Sequence, residues 1–127
     1  MRTNPLAFAL VAAGLLATAS PSSAHHAWQI DRSRLVTLKG TVTSFAFSNP
    51  HAQIYFDVKD ADGNIENWSA GGGSPNRLSR SGWTRDTLKP GDEITVSGYR
   101  ARNGSNVLRF ESVALADGQP IGGYRGR

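Results

Sequence analysis

The stretch Leu35 to His51, LVTLKGTVTSFAFSNPH, constrains the fold more than any other part of the chain. Val36, Leu38 and Val42 fall on one parity, while Phe45 and Phe47 fall on the other. A period-two pattern changes parity where an extra residue enters the strand, so a bulge is expected between Val42 and Phe45. Gly40 sits in the first half, where a missing side chain lets a strand coil sharply or lets another backbone come close. A single long, bent strand of this kind can serve two faces of a small closed sheet. Ser48-Asn49-Pro50-His51 ends it in a turn, because the residue before a proline is held extended.

The rest of the chain supplies the partners such a strand needs. Gln53 to Lys59 alternates, with Ile54, Phe56 and Val58 on one face and Tyr55 and Asp57 on the other, which is the pattern of a half-buried strand. Asp60-Ala61-Asp62-Gly63 is a hairpin turn between two apolar runs. The returning strand, Asn64 to Ala70, carries Ile65 and Trp68 on opposite parities, which leaves its buried face open. After Gly71-Gly72-Gly73, Ser74 is placed to cap a helix beginning at Pro75, and Gly82 to end it about two turns later. Glu93 to Tyr99 and Val107 to Leu115 are two further strands, the last changing parity between Phe110 and Val113. The expected fold class is mainly β: a five-stranded, OB-fold-like (oligonucleotide/oligosaccharide-binding) Greek-key barrel with one short helix between strands 3 and 4. An open five-stranded sandwich is the rival plan.

Residues 1–24 are expected to be a secretory signal peptide. Arg2 precedes an apolar run from Leu6 to Ala19, and Pro21, Ser22 and Ala24 follow it. Cleavage after Ala24 is favoured, with Ala19 as the alternative, so the address is the periplasm or the medium and no membrane span remains after cleavage. The mature chain then has 103 residues, with 13 Lys plus Arg against 10 Asp plus Glu. This excess is mild and scattered, so no nucleic-acid partner is expected. Residues 25–34 form an amino-terminal lead-in, 35–118 the barrel and 119–127 a flexible tail. Cysteine is absent, which excludes disulfides and thiolate metal sites, and the single methionine is Met1.

Several separated motifs carry a family resemblance. VTLKGTVTSF, then NPH, then VKDADG, then SPNRLSRSGWTRDTLKPGDEITVSG are similar to a bacterial family of small exported proteins, domain of unknown function 6152, over roughly His25 to Leu115. The family's pattern of a His-His pair near the mature start and an Asn-Pro-His after the first strand maps onto His25, His26, Asn49, Pro50 and His51. Its Gly-Trp-x-Arg-Asp-x-Leu-Lys-Pro-Gly-Asp run maps onto Gly82 to Asp92. Ala27 departs from it, where a small polar residue is common. The resemblance implies an exported protein and no established activity.

Two clusters could carry chemistry. The three histidines are His25, His26 and His51. After cleavage at Ala24, His25 would contribute both an α-amine and an imidazole, and a nitrogen set without sulfur suits Cu(II) or Zn(II), copper the more strongly. The bland alternative is a solvated pair and a turn histidine. The second cluster is Trp83, Arg85 and Asp86 beside Arg77 and Arg80, either a cationic, aromatic lip for an anionic or sugar ligand or a core tryptophan at the barrel bottom with Arg85 paired with Asp86 or stacked on Trp83. No nucleophile elbow, phosphate loop or cysteine nucleophile is present, so no catalytic residue and no enzymatic activity are expected. The leading expectation is an accessory protein binding a divalent metal. The alternative is a module that binds a periplasmic protein, a glycan or a small ligand on the barrel face.

Overall fold

A computed structural model describes residues 29–126 of the protein. The elements in order are β1 (Ile30–Ala46), β2 (Gln53–Lys59), β3 (Ile65–Gly71), α1 (Pro75–Ser79), β4 (Glu93–Ala101), β5 (Val107–Leu115) and a single 3-10 turn, Ile121–Gly123. The strands close into a barrel in the order β1-β2-β3-β5-β4. All neighbours are antiparallel except β3 and β5, whose short parallel contact pairs Ser69 with Val107 and Gly71 with Arg109.

The expected bulge is present. The β1–β2 register shifts between Val42 and Ser44, so Val42 is buried and Phe45 also packs against the core. The amino-terminal part of β1 pairs with β4 and the carboxy-terminal part with β2, and Thr41 pairs with both Glu93 and Asp57. Gly40 stands where β1 and β2 approach closely: a Cβ there would lie 2.5 Å from the Asp57 carbonyl oxygen. The second bend is present too, as a register shift between Ser97 and Gly98 opposite Phe110 and Ser112. Trp68 settles the face of β3, since it is buried while Ile65 is exposed.

Ser74 Oγ accepts the Arg77 N–H at the start of α1, as a capping residue does. The helix is one short turn shorter than expected, and Gly82 follows it with φ +87°. The loop that follows is tied to the bulge of β1, with Val42 N–H donating to Asp92 O and Gly91 N–H donating to Val42 O. Leu78, Trp83 and Leu88 all come from this region and are all buried in the core.

Two boundaries differ from the sequence-based expectation. The lead-in is strand from Ile30 onward: Ile30 is buried, pairs with Ala101, and its carbonyl accepts from Arg102 Nε. Asp31 accepts the O–H and N–H of Ser33, which holds its exposed carboxyl below the usual range. The expected free tail is packed down as far as Gly126. Tyr124 is buried, its ring lying edge-on to Trp83 and Phe110, and Trp83 Nε1 donates to Ile121 O over 3.2 Å. Glycines had made this segment look loose, but the aromatic ring supplies the apolar area that anchors it. Truncating such a buried ring costs about 3 kcal/mol. Tyr124→Ala should therefore lower the urea midpoint by that equivalent at unchanged slope, whereas a free tail would leave the midpoint where it is.

Candidate functional site

The outer surface of β2 and β3 is a regular grid. Gln53 stands opposite Gly71, Tyr55 opposite Ser69, Asp57 opposite Asn67 and Lys59 opposite Ile65. Alternation puts Ile54, Phe56, Trp68 and Ala70 inside and leaves these other side chains outside. Tyr55 is 44% exposed near the middle of this face, with Ser44 of β1 and Ser69 of β3 opposite it on either side. Asn67 Nδ2 donates to Asp57 Oδ1 over 2.7 Å, which fixes both groups beside it.

One end of the face opens into a cavity of about 310 Å³ lined by His51, Gly72, Gly73, Ser74, Arg77 and Arg109. Its walls come from four separate places. The loop after β1, closed by a cis Asn49-Pro50 bond, brings His51. Ala52 continues the β2–β3 ladder beyond the strands, donating to Gly73 O and accepting from Gly72 N–H, both at 3.0 Å, so the floor is fixed by backbone. The first turn of α1 brings Ser74 and Arg77. Parallel pairing with Gly71 brings Arg109. Underneath lies the aromatic core: a Cβ on Gly72 would run into the Phe110 ring, and one on Gly73 would lie 2.9 Å from the Tyr124 hydroxyl and 3.2 Å from the Arg77 stem.

A second cleft, of about 520 Å³, lies where β1 and β2 part beyond Thr41 and Asp57. Its lining includes Lys39, Lys59, Asp57 and Glu93, two cations against two anions. Glu93 already accepts from Thr41 Oγ1 at 2.9 Å.

The sequence-predicted site residues separate. His51 and Arg77 are brought together in the cavity. Arg85 is exposed and lines neither of these cavities. Trp83 is only 1% exposed, stacked on Phe110 at 5.8 Å with 12° between the rings, so it is core and does not offer a lip to a ligand. His25 and His26 lie outside the described residues. Among the described residues no group of three His, Cys, Asp or Glu side chains is placed to hold a metal. His51 shares its cavity with Arg77 and Arg109. Tyr55 and Arg109 were not singled out in the sequence. Tyr55 was legible as an outward residue of β2, but Arg109 joins the cavity only through the β3–β5 pairing. Among the described residues no helix is long and apolar enough to cross a membrane.

A family model, described as a family of unknown function (DUF6152), matches residues 11–108. No curated protein matches the chain. Among solved structures, the chain resembles the mitochondrial single-stranded DNA-binding protein Rim1 of S. cerevisiae. The identity is 10%, with 74% of this chain and 97% of that one covered, at a TM-score of 0.50. It also resembles the small single-stranded DNA-binding protein of Streptomyces coelicolor, at 16% identity, 68% and 95% coverage and a TM-score of 0.49. At such identities the likeness shows the OB fold alone. It does correct one expectation: a fold shared with the single-stranded DNA-binding protein Rim1 overturns the exclusion of nucleic-acid partners, which scattered charge and an export signal do not justify. The bare floor of the cavity is itself testable. Gly72→Ala forces a methyl group against Phe110, an overpacking that costs about 1–3 kcal/mol, and it should lower the thermal midpoint, whereas an unchanged midpoint would mean the ring has room to move.

Proposed function

The chain belongs to the family of unknown function DUF6152, and for it we propose a non-enzymatic binding protein, exported, that holds an extended polar ligand on the outer face of β2 and β3. The observation that carries this reading is Tyr55, a ring left 44% exposed amid hydrogen-bonding side chains on a rigid sheet. A flat aromatic surface stacks on sugar rings or on bases, while Gln53, Asn67 and Ser69 beside it offer donors and acceptors for the groups around the ring. In OB folds this face, with the loops that frame it, is where oligosaccharides and oligonucleotides bind. Rim1, a solved structure of like fold, is named for binding single-stranded DNA, which supports a binding role. Export is supported by the Leu6 to Ala19 run and the small residues before His25.

The test is a nuclear magnetic resonance titration of the labelled protein with a short oligogalacturonate, with a short oligothymidylate and with Cu(II). Saturable shifts centred on Tyr55, Asn67 and Ser69 are expected with at least one of the two oligomers. Tyr55→Ala should weaken that binding by about tenfold, the equivalent of losing one stacked ring. Shifts confined to β4, or none with either oligomer, would overturn the reading. A Cu(II) response at His51 without any oligomer response would return the histidines to the centre of the account.

A further inference from the structure

We propose that Arg100 is the positioning residue of the binding face: it holds the β4–β5 loop, residues 102–106, against β3 and so sets Asn67 and Ser69 in place before a ligand arrives. The inference deepens the reading of the β2–β3 face and rests on it for the ligand. Ile94, Val96 and Gly98 are buried on one parity of β4, and Arg100 comes next on that parity, half-buried. A cation on the inward side of a strand needs acceptors, and this one finds them in the loop. Arg100 Nε donates to Ser105 O over 2.9 Å, and Nη2 donates to Gly104 O over 2.6 Å and to Asn106 Oδ1 over 2.9 Å. Its Cζ lies 4.9 Å from the centre of the Trp68 ring, so the indole fixes the guanidinium as well.

The loop matters to the face because β3 is paired with a strand over only part of that edge. Among the described residues, its register with β5 covers Ser69, Ala70 and Gly71 and none earlier. Asn106 takes the place of a strand partner there. Its carbonyl accepts the Ser69 N–H over 3.0 Å, and its Nδ2 donates to Asn67 O over 3.4 Å. Asn67 in turn donates to Asp57, and Ser69 stands opposite Tyr55. A chain of contacts therefore runs from Arg100 through Asn106 to the groups around the exposed ring. With the loop locked, those groups are arranged in the free protein. With the loop loose, the ligand must order them on binding, and affinity falls. Arginine suits the position, because one planar head serves three acceptors at fixed angles, which an ammonium on a flexible stem does less well.

The experiment titrates Arg100→Met, Arg100→Lys and Asn106→Ala with the oligogalacturonate and the oligothymidylate, and follows amide hydrogen exchange and denaturant midpoints in the same free proteins. Methionine keeps an apolar stem against Trp68 and removes the fork. Arg100→Met should weaken the oligomer that the unmodified protein binds by roughly three- to tenfold, the cost of ordering one or two residues on binding. It should also speed exchange at the Ser69 amide while the β1–β4 ladder keeps its rates. Asn106→Ala should do the same, and the double variant should lose little more than either alone, since both act through one chain of contacts. Arg100→Lys should fall between, as a point charge without the fork. A purely structural arginine predicts a lower midpoint, faster exchange throughout the barrel and an unchanged affinity of the folded protein. That result would overturn the proposal, as would faster exchange at Ser69 with unchanged affinity. If neither oligomer binds the unmodified protein, the face reading falls and takes this role with it, whereas binding that survives all three substitutions removes the role of Arg100 alone.

Discussion

The register shift between Val42 and Ser44 is the constraint on which the barrel depends. A straight β1 would keep one set of side chains inward along its whole length, and its two ends could not both pack on the same core. By inserting one residue, the strand turns its inward face over, so Val42 and Phe45 both meet the core from opposite parities. The β1–β4 pairing also runs one residue past Thr41 and Glu93, to the edge of the bulge. Val42 donates to Asp92 and accepts from Gly91, so the loop before β4 is docked where β1 bends. Gly40, two residues earlier, lets the crossing backbones approach, and a side chain there would push β2 away just before the bend.

The aromatic cluster connects this frame to the surface. Trp83 meets Phe45 beyond the bulge, Phe110 on β5 and Tyr124 near the carboxyl terminus, so three distant parts of the chain share one packing unit. Its indole N–H is satisfied by the Ile121 carbonyl, which removes the penalty a buried donor would carry. The same rings form the underside of the cavity, where Phe110 lies beneath Gly72 and the Tyr124 hydroxyl beside Gly73. The floor therefore cannot sink without disturbing the core. Arg77 and Arg109 line the cavity above this backing.

Much of the fold was legible because it is written in local periods. The bulge, the β2–β3 hairpin, the capping serine and the succession of elements along the chain all follow from residues close in sequence. The tail and the site were less legible for a common reason. Tyr124 is a single aromatic among glycines, and only its distant partners Trp83 and Phe110 make it an anchor. Arg109 reads as one more cation on an alternating strand, and the parallel pairing of β5 with β3 alone brings it beside a loop more than fifty residues earlier. The Gly-Trp-x-Arg-Asp run drew attention to Trp83 and Arg85, yet it serves the core through the tryptophan and leaves the arginine in solvent.

Net charge was a poor guide to this surface for a physical reason. Attraction at short range depends on the charges within about a Debye length, roughly 8–10 Å at ordinary salt, and not on the sum over the chain. The excess over the whole sequence is only four charges, but folding does not distribute it evenly. The cleft at Lys39 and Lys59 carries its own compensating Asp57 and Glu93, so it is locally neutral. At the other end of the same face, Arg77 and Arg109 line one cavity although they stand more than thirty residues apart in the chain, brought there by α1 and by the β3–β5 pairing and not by any run of charge in the sequence.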